Sequence, residues 1–298
     1  MISLEEAFKK FLGRLELTDR EQKDVSARHT AIREIVRAGI GVDRDILSGS
    51  YKRFTKTKPL KDVDIFFVLK ASESAWLQRP PEELLVHTRG LLVPSYGEHA
   101  VALGRRSVRV DFGVRPLLDE TDEKVISNDV VVAFADCDNY LIPDRTIGDW
   151  VRTNPEIHAQ LATDAHAAYN QRWKPLVRMI KKWNDYHDRP VKPSFLLEVM
   201  ALDILNRGFG GHYSLELQTF FATAAARITE TWEDPAGLGP PVSDRLASDP
   251  IQQLKARQAL EAAAENVSTA RRLAREGRNG DALKYWREEI FGPLFPLS

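Results

Sequence analysis

The stretch that most constrains this chain is residues 47–69, where a small-residue corner is followed by a basic segment and a pair of carboxylates. The corner is Gly49-Ser50, and the segment after it, residues 51–61, carries five basic side chains and no acid. A corner of this kind that leads into a helix exposes backbone N–H groups and a hydroxyl, which together suit a phosphate group. The segment therefore predicts a phosphate-binding loop.

The carboxylates of this stretch, Asp62 and Asp64, open the apolar run of residues 65–69. Such a run is typical of a buried strand, and since side chains alternate along a strand, both are predicted to project from one face. Two carboxylates on one face repel each other unless a cation lies between them, and their hard oxygen ligands suit Mg²⁺ or Mn²⁺. Together with the corner, they predict a site for a metal-bound nucleoside triphosphate.

A site for two metal ions needs more ligands than two carboxylates supply, so a third carboxylate is expected. The candidate is Asp111, within residues 107–114, where apolar side chains alternate with polar ones at the period of a half-buried strand. Asp111 is predicted to lie on the polar face of that strand.

Three features follow one another along the chain. The predicted phosphate-binding corner is followed after eleven residues by the Asp-Val-Asp sequence, and Asp111 lies on a later predicted strand. This set resembles the signature of the DNA polymerase β-type nucleotidyltransferase superfamily. The closer likeness is to the CD-NTases, the bacterial relatives of cyclic GMP–AMP synthase and oligoadenylate synthase, and it covers residues 30–225. Two later stretches are similar to helices of that branch, residues 176–183 and residues 193–200.

By this resemblance, Asp62, Asp64 and Asp111 are the catalytic residues and hold two Mg²⁺ ions, for which Mn²⁺ is a substitute. Gly49 and Ser50 hold the β and γ phosphates of the donor nucleotide. One ion lowers the pKa of the attacking ribose hydroxyl, and the other neutralises the leaving pyrophosphate. Asp111 is expected near that hydroxyl, where it helps to take the proton.

The first of the two similar helices carries adjacent lysines, of which Lys181 falls beside the apolar stripe while Lys182 points away. Lys181 is therefore the candidate for the triphosphate-binding lysine of the family. The second helix begins with Ser194 and Phe195, just after a proline. We expect Ser194 to cap this helix, and by resemblance both residues are assigned to substrate binding, with Phe195 stacked on the donor base. The family usually has tyrosine at that position, so Phe195 keeps the ring face and lacks the hydroxyl.

The predicted elements indicate an α+β fold, in which a mixed sheet with helices packed on it is followed by a helical half. A polymerase β-like nucleotidyltransferase core with N-terminal helices is assigned to residues 1–153, and a helical lobe that closes the nucleotide cleft to residues 154–298. Thr146 is expected to cap a short helix, and the apolar tail, residues 291–298, to dock on the domain. Helices are predicted over residues 2–20, 21–38, 50–56, 155–186, 195–206, 213–228, 244–276 and 280–291, and strands over residues 45–47, 62–69, 101–103, 107–118 and 125–135.

The composition is that of an ordinary globular protein, since hydrophobic residues make up 43% and charged residues 29% of the 298 residues. A net charge of −1 argues against a broad nucleic-acid-binding surface. The single cysteine, Cys137, excludes an intrachain disulfide and a cysteine-rich zinc site. The sequence shows neither a signal peptide nor a membrane-spanning stretch, so a cytoplasmic location is expected. The protein is also expected to be a monomer.

The resemblance implies a cyclic di- or trinucleotide made from ATP or other NTPs, which would serve as a second messenger in CBASS anti-phage defence with regulatory or defence-system partner proteins. The spacing alone supports nucleotidyl transfer and no more. Two alternatives stay open: an RNA-, small-molecule- or protein-modifying transferase on the same core, and a linear oligoadenylate synthase. A non-catalytic nucleotide-binding regulator would need a broken metal triad, whereas the predicted triad is intact.

Overall fold

A mixed β-sheet forms the centre of the N-terminal half of the protein, whose computed structural model describes residues 2–58, 60, 62–114 and 126–298. The strand order is β1-β2-β5-β4-β3, with β6 paired to β5 and β7 paired to β6. β2 and β5 run parallel, and the five other described pairs are antiparallel. The strands are β1 (Val42–Ser48), β2 (Asp62–Leu69), β3 (Val101–Leu103), β4 (Val108–Asp111), β5 (Ser127–Asp136), β6 (Asn139–Asp144) and β7 (Asp149–Thr153).

Helices flank this sheet and make up the C-terminal half, so the predicted α+β class is confirmed. A 3-10 helix, Ala71–Gln78, follows β2, and a π-helical turn, Trp286–Phe291, continues the last helix. The α-helices of the described residues are α1 (Leu4–Leu15), α2 (Asp19–Gly39), α3 (Gly49–Arg53), α4 (Pro81–Tyr96), α5 (Pro155–Ala168), α6 (Trp173–Tyr186), α7 (Ser194–Ile204), α8 (Tyr213–Arg227), α9 (Asp244–Ala247), α10 (Pro250–Arg275) and α11 (Asn279–Tyr285).

Side chains alternate between the two faces of the sheet. One face is apolar, and the other carries polar side chains near the starts of the central strands. On the apolar face, Ile65 and Phe67 of β2 and Val130 of β5 are fully buried in a core with α2 and α4. Each such side chain that leaves water contributes about 1.5–3 kcal/mol to folding. On the opposite face, Asp62 and Asp64 project together from the start of β2, as the period of two predicts.

A second core joins the C-terminal helices, and it includes α1 from the N-terminus. Phe8 of α1 lies edge-on to Trp286, with ring centroids 5.0 Å apart, and Phe11 contacts Phe291 at 4.6 Å. The N-terminal helix therefore packs on the helical half, whereas the predicted boundary assigns it to residues 1–153. The division into two lobes remains a prediction, with α1 as the element that crosses it.

The C-terminal tail docks on this second core, as predicted. Phe291 and Phe295 are fully buried, and their rings stack with centroids 5.8 Å apart. Arg287 Nη1 also donates a hydrogen bond to Phe295 O at 3.2 Å. The tail thus contributes apolar area to the core instead of exposing it to water.

Three predicted helix boundaries differ from the structure. The first helix ends at Leu15, and a capping box starts α2: Thr18 Oγ1 accepts from Glu21 N at 3.2 Å, while Glu21 Oε2 accepts from Thr18 N at 2.6 Å. The predicted helix 155–186 is two helices, because Asn170 and Gln171 adopt left-handed backbone angles with φ of 50° and 61°. The predicted helix 244–276 is likewise divided into α9 and α10.

The segment after β6 is a turn and not the predicted helix. Asp144 Oδ1 accepts a hydrogen bond from Thr146 N at 3.0 Å, and Gly148 N donates to Asp144 O at 3.0 Å. Gly148, with φ of 70°, then leads into β7. Thr146 therefore lies inside a hairpin, and the expectation that it caps a helix is wrong.

Parts of two predicted strands lie outside the described residues. The strand predicted over residues 107–118 is β4, which ends at Asp111, and residues 115–118 are not among those described. The strand predicted from residue 125 begins at Ser127. In the described part of the chain, none of the helices combines the length and apolar character needed to span a bilayer.

Candidate active site

The polar face of the sheet brings together carboxylates from two neighbouring parallel strands. In the register of β2 with β5, Asp62 lies opposite Ser127, and Asp64 lies opposite Asp129. Residues opposite each other on adjacent strands project from the same face, with their backbones about 4.8 Å apart. Three carboxylates therefore gather where these strands begin, and Asp129 directly flanks Asp64.

Strand β4 lies on the far side of β5 and adds one carboxylate and one cation to this face. Asp111 lies opposite Ser127, and Arg109 lies opposite Asp129. Asp111 is thus two strands away from Asp62, or about 10 Å at the usual spacing. The predicted third carboxylate is on the expected face, but Asp129 is one strand closer to the pair on β2.

The pKa values of the two inner carboxylates, Asp64 and Asp129, are raised by burial and by neighbouring carboxylates. Burial raises the pKa of Asp64 to about 6, and the charge of Asp62 adds to this shift, while Arg53 and Lys181 oppose it. Burial likewise raises the pKa of Asp129 to about 7, and the charges of Asp64 and Asp62 raise it further. Raised pKa values at two neighbouring carboxylates mark a face short of positive charge, a condition that a bound cation relieves.

The carboxylate set suits a divalent ion in its chemistry, because Mg²⁺ and Mn²⁺ prefer oxygen ligands. As the side chains stand, no group of three or more His, Cys, Asp or Glu residues among those described is arranged to hold a metal ion. Asp62 is engaged elsewhere, since its Oδ1 accepts from Ser127 Oγ at 2.5 Å and from Arg109 Nη2 at 3.0 Å. Both contacts are made by Oδ1, so a metal ion bound at this oxygen would replace at least one of them.

The Gly49-Ser50 corner packs directly on this carboxylate face. Gly49 begins α3 with φ of 63°, and a Cβ built on it would lie 1.5 Å from Asp64 Oδ2. Ser48, the preceding residue, lies opposite Asp64 in the register of β1 with β2. The left-handed backbone and the close approach both require glycine at position 49.

A buried ionic network lies beside Asp64 and connects the loop after α3 to α6 and α7. Glu198 accepts from Arg53 Nε at 2.9 Å and Nη2 at 3.1 Å, from Thr55 Oγ1 at 2.8 Å, and from Lys181 Nζ at 3.0 Å. Burial alone would raise the pKa of Glu198, but the charges of Arg53 and Lys181 and these hydrogen bonds outweigh it and hold the pKa at about 2. The network fixes Lys181 close to the carboxylate face.

Comparison with known proteins identifies the family of the chain. Residues 2–165, more than half of the chain, match the model of the Second Messenger Oligonucleotide or Dinucleotide Synthetase domain, SMODS. The chain belongs to this family. It is therefore a nucleotidyltransferase of the CD-NTase group and a cyclic oligonucleotide synthase, which confirms the resemblance found in the sequence.

Individual relatives span nearly the whole chain. The cyclic AMP-AMP-AMP synthase of Acinetobacter sp. (strain ATCC 27244 / 9458) is 25% identical over 100% of this chain and 87% of that protein. The structure of CdnC from E. coli MS115-1 with ATP has a TM-score of 0.70 at 16% identity and covers 99% of both chains. CdnC in complex with HORMA-deltaN matches with a TM-score of 0.70 at 18% identity, over 98% of each chain. At these identities the structural matches establish the fold, and the polymerase β-like core is confirmed.

The two predicted lysine orientations have different outcomes. Lys181 is buried next to the carboxylate face, as its position beside the apolar stripe predicts. Lys182 is buried as well, and its Nζ donates to Lys58 O at 2.9 Å, so the prediction that it points away is wrong. The loop after α3 covers this side of α6, which helical periodicity alone does not reveal. The contact of Lys181 with a triphosphate stays a prediction.

The start of α7 carries Ser194 and Phe195 next to the buried network. Ser194 is exposed and is the first residue of the helix; Pro193 occupies the cap position with no side-chain hydrogen bond, so the predicted capping by Ser194 is wrong. Phe195 is partly buried, with the Arg53 guanidinium 4.7 Å from its ring centroid and the His158 ring 5.1 Å away. Substrate binding by Ser194 and stacking by Phe195 stay predictions.

Sequence reasoning missed Asp129, Arg109 and Glu198 as members of this region. The signal for Asp129 was available, because it comes directly before the apolar residues 130–132 in the same way that Asp64 precedes its own run. Arg109 alternates with apolar residues beside Asp111 and could have been placed on the polar face. Glu198 carried no such signal, since a lone acid within an apolar helix does not indicate its partners.

Proposed function

We propose that the protein joins ATP molecules into a cyclic oligoadenylate, with the cyclic triadenylate as its main product, at the carboxylates Asp62, Asp64 and Asp129. The observation that carries this proposal is the register that sets Asp129 beside Asp64, directly under the Gly49-Ser50 corner. The choice of adenylate rests on the relative that is a cyclic AMP-AMP-AMP synthase and covers the full chain.

The three carboxylates, in this proposal, are the ligands of two Mg²⁺ ions, for which Mn²⁺ is a substitute. Such ions, when bound, activate an attacking ribose hydroxyl and neutralise the charge of a leaving pyrophosphate. The raised pKa values of Asp64 and Asp129 support this assignment, because neighbouring carboxylates that repel each other gain most from a shared cation. Asp111 lies two strands from Asp62 on the same face, and in this proposal it is not one of the metal ligands.

The remaining predicted residues bind and orient the nucleotide. Gly49 and Ser50 offer backbone N–H groups and a hydroxyl to the donor phosphates. Lys181 supplies a charge-assisted hydrogen bond to the triphosphate when it shares its ammonium group between Glu198 and the ligand. Phe195 stacks on a base, which contributes ~1–3 kcal/mol and tolerates any base, so this contact does not select adenine.

The biological role we propose is production of a second messenger in the cytoplasm for CBASS anti-phage defence. Family membership supports signalling, and the structure of CdnC in complex with HORMA-deltaN supports a protein partner of that kind. A linear oligoadenylate, or transfer of a nucleotide to RNA, a small molecule or a protein, is the alternative outcome on the same core.

The test is incubation of the purified protein with each α-labelled NTP and Mg²⁺, followed by phosphatase treatment and mass spectrometry. We expect ATP alone to give a phosphatase-resistant species with the mass of three adenylate units and no terminal phosphate. Linear oligomers that phosphatase shortens would instead identify an oligoadenylate synthase. Label transfer that requires added RNA would identify an RNA-modifying enzyme.

A further inference from the structure

Arg109 is the cation of β4 on the face that carries the carboxylates. Its Nη2 lies 3.0 Å from Asp62 Oδ1, and its backbone is directly opposite Asp129. Its charge also lowers the pKa of Asp129, against the larger effects of burial and of the other carboxylates. A single guanidinium thus pairs with Asp62 and also acts on the charge of Asp129.

Other cations act on this face from a different position. Arg53 and Lys181 lower the pKa of Asp64, but both donate hydrogen bonds to the buried Glu198, whose charge offsets theirs. These two are held inside the network between α3, α6 and α7. Arg109, by contrast, has a side chain that is 41% exposed, so it has room to leave Asp62 for water.

A guanidinium does not lose its proton in a protein, so Arg109 always presents a positive charge to Asp62. A divalent ion that takes Asp62 as a ligand binds the same carboxylate, and the nearby positive charge of Arg109 repels that ion. The metal ion and Arg109 therefore compete for one position.

We infer that Arg109 is a built-in substitute for a divalent ion: it neutralises Asp62 in the metal-free protein and is displaced when the metal–nucleotide complex binds. Arg109 is a positioning residue in this role, because it acts on the reaction through Asp62. The inference rests on the proposed metal site and predicts that Arg109 weakens metal binding before the nucleotide arrives.

Removal of the guanidinium should raise the affinity for Mn²⁺ and lower the melting temperature of the metal-free protein. Arg109→Gln should bind Mn²⁺ more tightly, with a dissociation constant lower by roughly three- to tenfold, because the competitor is gone. The same variant should melt at a lower temperature without metal, because repulsion between Asp62 and Asp129 is no longer relieved. A residue that only supports the fold would lower the melting temperature and weaken Mn²⁺ binding together.

The experiment measures Mn²⁺ binding to the full chain without nucleotide, by electron paramagnetic resonance of the free ion, together with thermal melts. Arg152→Gln is the matched control, since Arg152 is an exposed arginine that pairs with Asp136 on the sheet at 2.6 Å. Arg109→Lys keeps the charge and should bind Mn²⁺ as the wild type does. This variant also tests the inference if Arg109→Gln does not fold, because a large gain in affinity with lysine would contradict it.

The metal assignment is checked separately with Asp62→Asn combined with Asp64→Asn, which should lose Mn²⁺ binding. If this double variant binds Mn²⁺ as the wild type does, the proposed metal site is wrong, and the role of Arg109 is overturned with it. If the double variant loses binding while Arg109→Gln binds Mn²⁺ equally or more weakly than the wild type, only the competition is overturned.

Discussion

A Cβ on Gly49 would lie 1.5 Å from Oδ2 of Asp64, so the backbone of the Gly49-Ser50 corner can approach this carboxylate only because residue 49 has no side chain. Gly49 also has φ of 63°, in the left-handed region. The contact fixes where donor phosphates would lie relative to the proposed metal ligands.

Gly49→Ala should abolish most turnover, because the new methyl group must displace Asp64 or the corner. Gly148→Ala is the matched control: Gly148 has φ of 70°, and nothing lies within 4 Å of a Cβ built there. Both substitutions place alanine in a left-handed conformation, at a cost of about 1–2 kcal/mol. Gly49→Ala adds the clash with Asp64 to this backbone cost, so it should lose more free energy of unfolding than Gly148→Ala. We expect a loss of ATP turnover in Gly49→Ala alone; equal turnover in the two variants would contradict the steric argument.

Glu198→Gln should destabilise the protein by about 3–5 kcal/mol, because Arg53 and Lys181 stay buried without their counterion. Glu216→Gln is the control, since Glu216 is also buried but accepts from the neutral groups Tyr169 Oη and Gly210 N. Its loss should be smaller, about 1–3 kcal/mol. Urea titrations of both variants measure these losses, and a Glu198→Gln variant as stable as wild type would show that the network contributes no net stability.

The stability of the metal-free protein should fall as pH rises from 5 to 8. Folding raises the pKa values of Asp64 and Asp129 from 3.8 to about 6 and about 7. The folded state therefore binds these protons more tightly, and the resulting stability is present in full below the unfolded pKa and lost as pH rises through 6 and 7. Thermal melts of the wild type and of Asp64→Asn with Asp129→Asn, in the presence of a chelator, check this, and the double variant should show a flatter profile.

A separate pH effect is expected below this range. Folding lowers the pKa of Glu198 from 4.5 to about 2, so its contribution to stability is present above 4.5 and lost as pH falls toward 2. Glu198→Gln should remove this loss of stability at low pH and keep the fall in stability between pH 5 and 8. Loss of both pH effects in that variant would mean that the groups are not independent.

Phe195→Ala should raise the KM for ATP severalfold, with little change in melting temperature, because the partly buried ring would lose its stacking contact with a base. Phe195→Tyr should be nearly neutral, since it keeps the ring face. Phe209→Ala is the comparison, because Phe209 is a partly buried ring that packs on Tyr169 and Tyr213 away from the carboxylates. A Phe195→Ala variant that loses stability as Phe209→Ala does, with an unchanged KM, would identify a packing residue.

Local patterns in the sequence were enough to predict the parts of the site that depend on neighbouring residues. The alternation of Asp62 and Asp64, the glycine corner and the strand that carries Asp111 follow from strand geometry within a few residues. The proximity of Asp129 to the pair on β2 depends on strand order, because β5 and not β4 lies next to β2. Periodicity places a side chain on a face, but it does not say which strands are neighbours.

Long-range contacts explain the remaining differences. Arg53 and Glu198 are 145 positions apart, and their pairing exists only because α7 packs beside the loop after α3. Lys182 is buried by that same loop, which a helical projection of α6 does not contain. The break between α5 and α6 depends on Asn170 and Gln171 in left-handed conformations, which a continuous apolar stripe hides.

The most direct test of this account compares ATP turnover by Asp129→Asn and Asp111→Asn, with Asp62→Asn combined with Asp64→Asn as the inactive reference. Both single substitutions are isosteric, and circular dichroism should show that each variant keeps the fold. Because Asp129 flanks Asp64 while Asp111 lies one strand further out, we expect Asp129→Asn to lose turnover by on the order of 10²-fold or more. We expect Asp111→Asn to keep most of its activity. An inactive Asp111→Asn beside an active Asp129→Asn would contradict the proposed site.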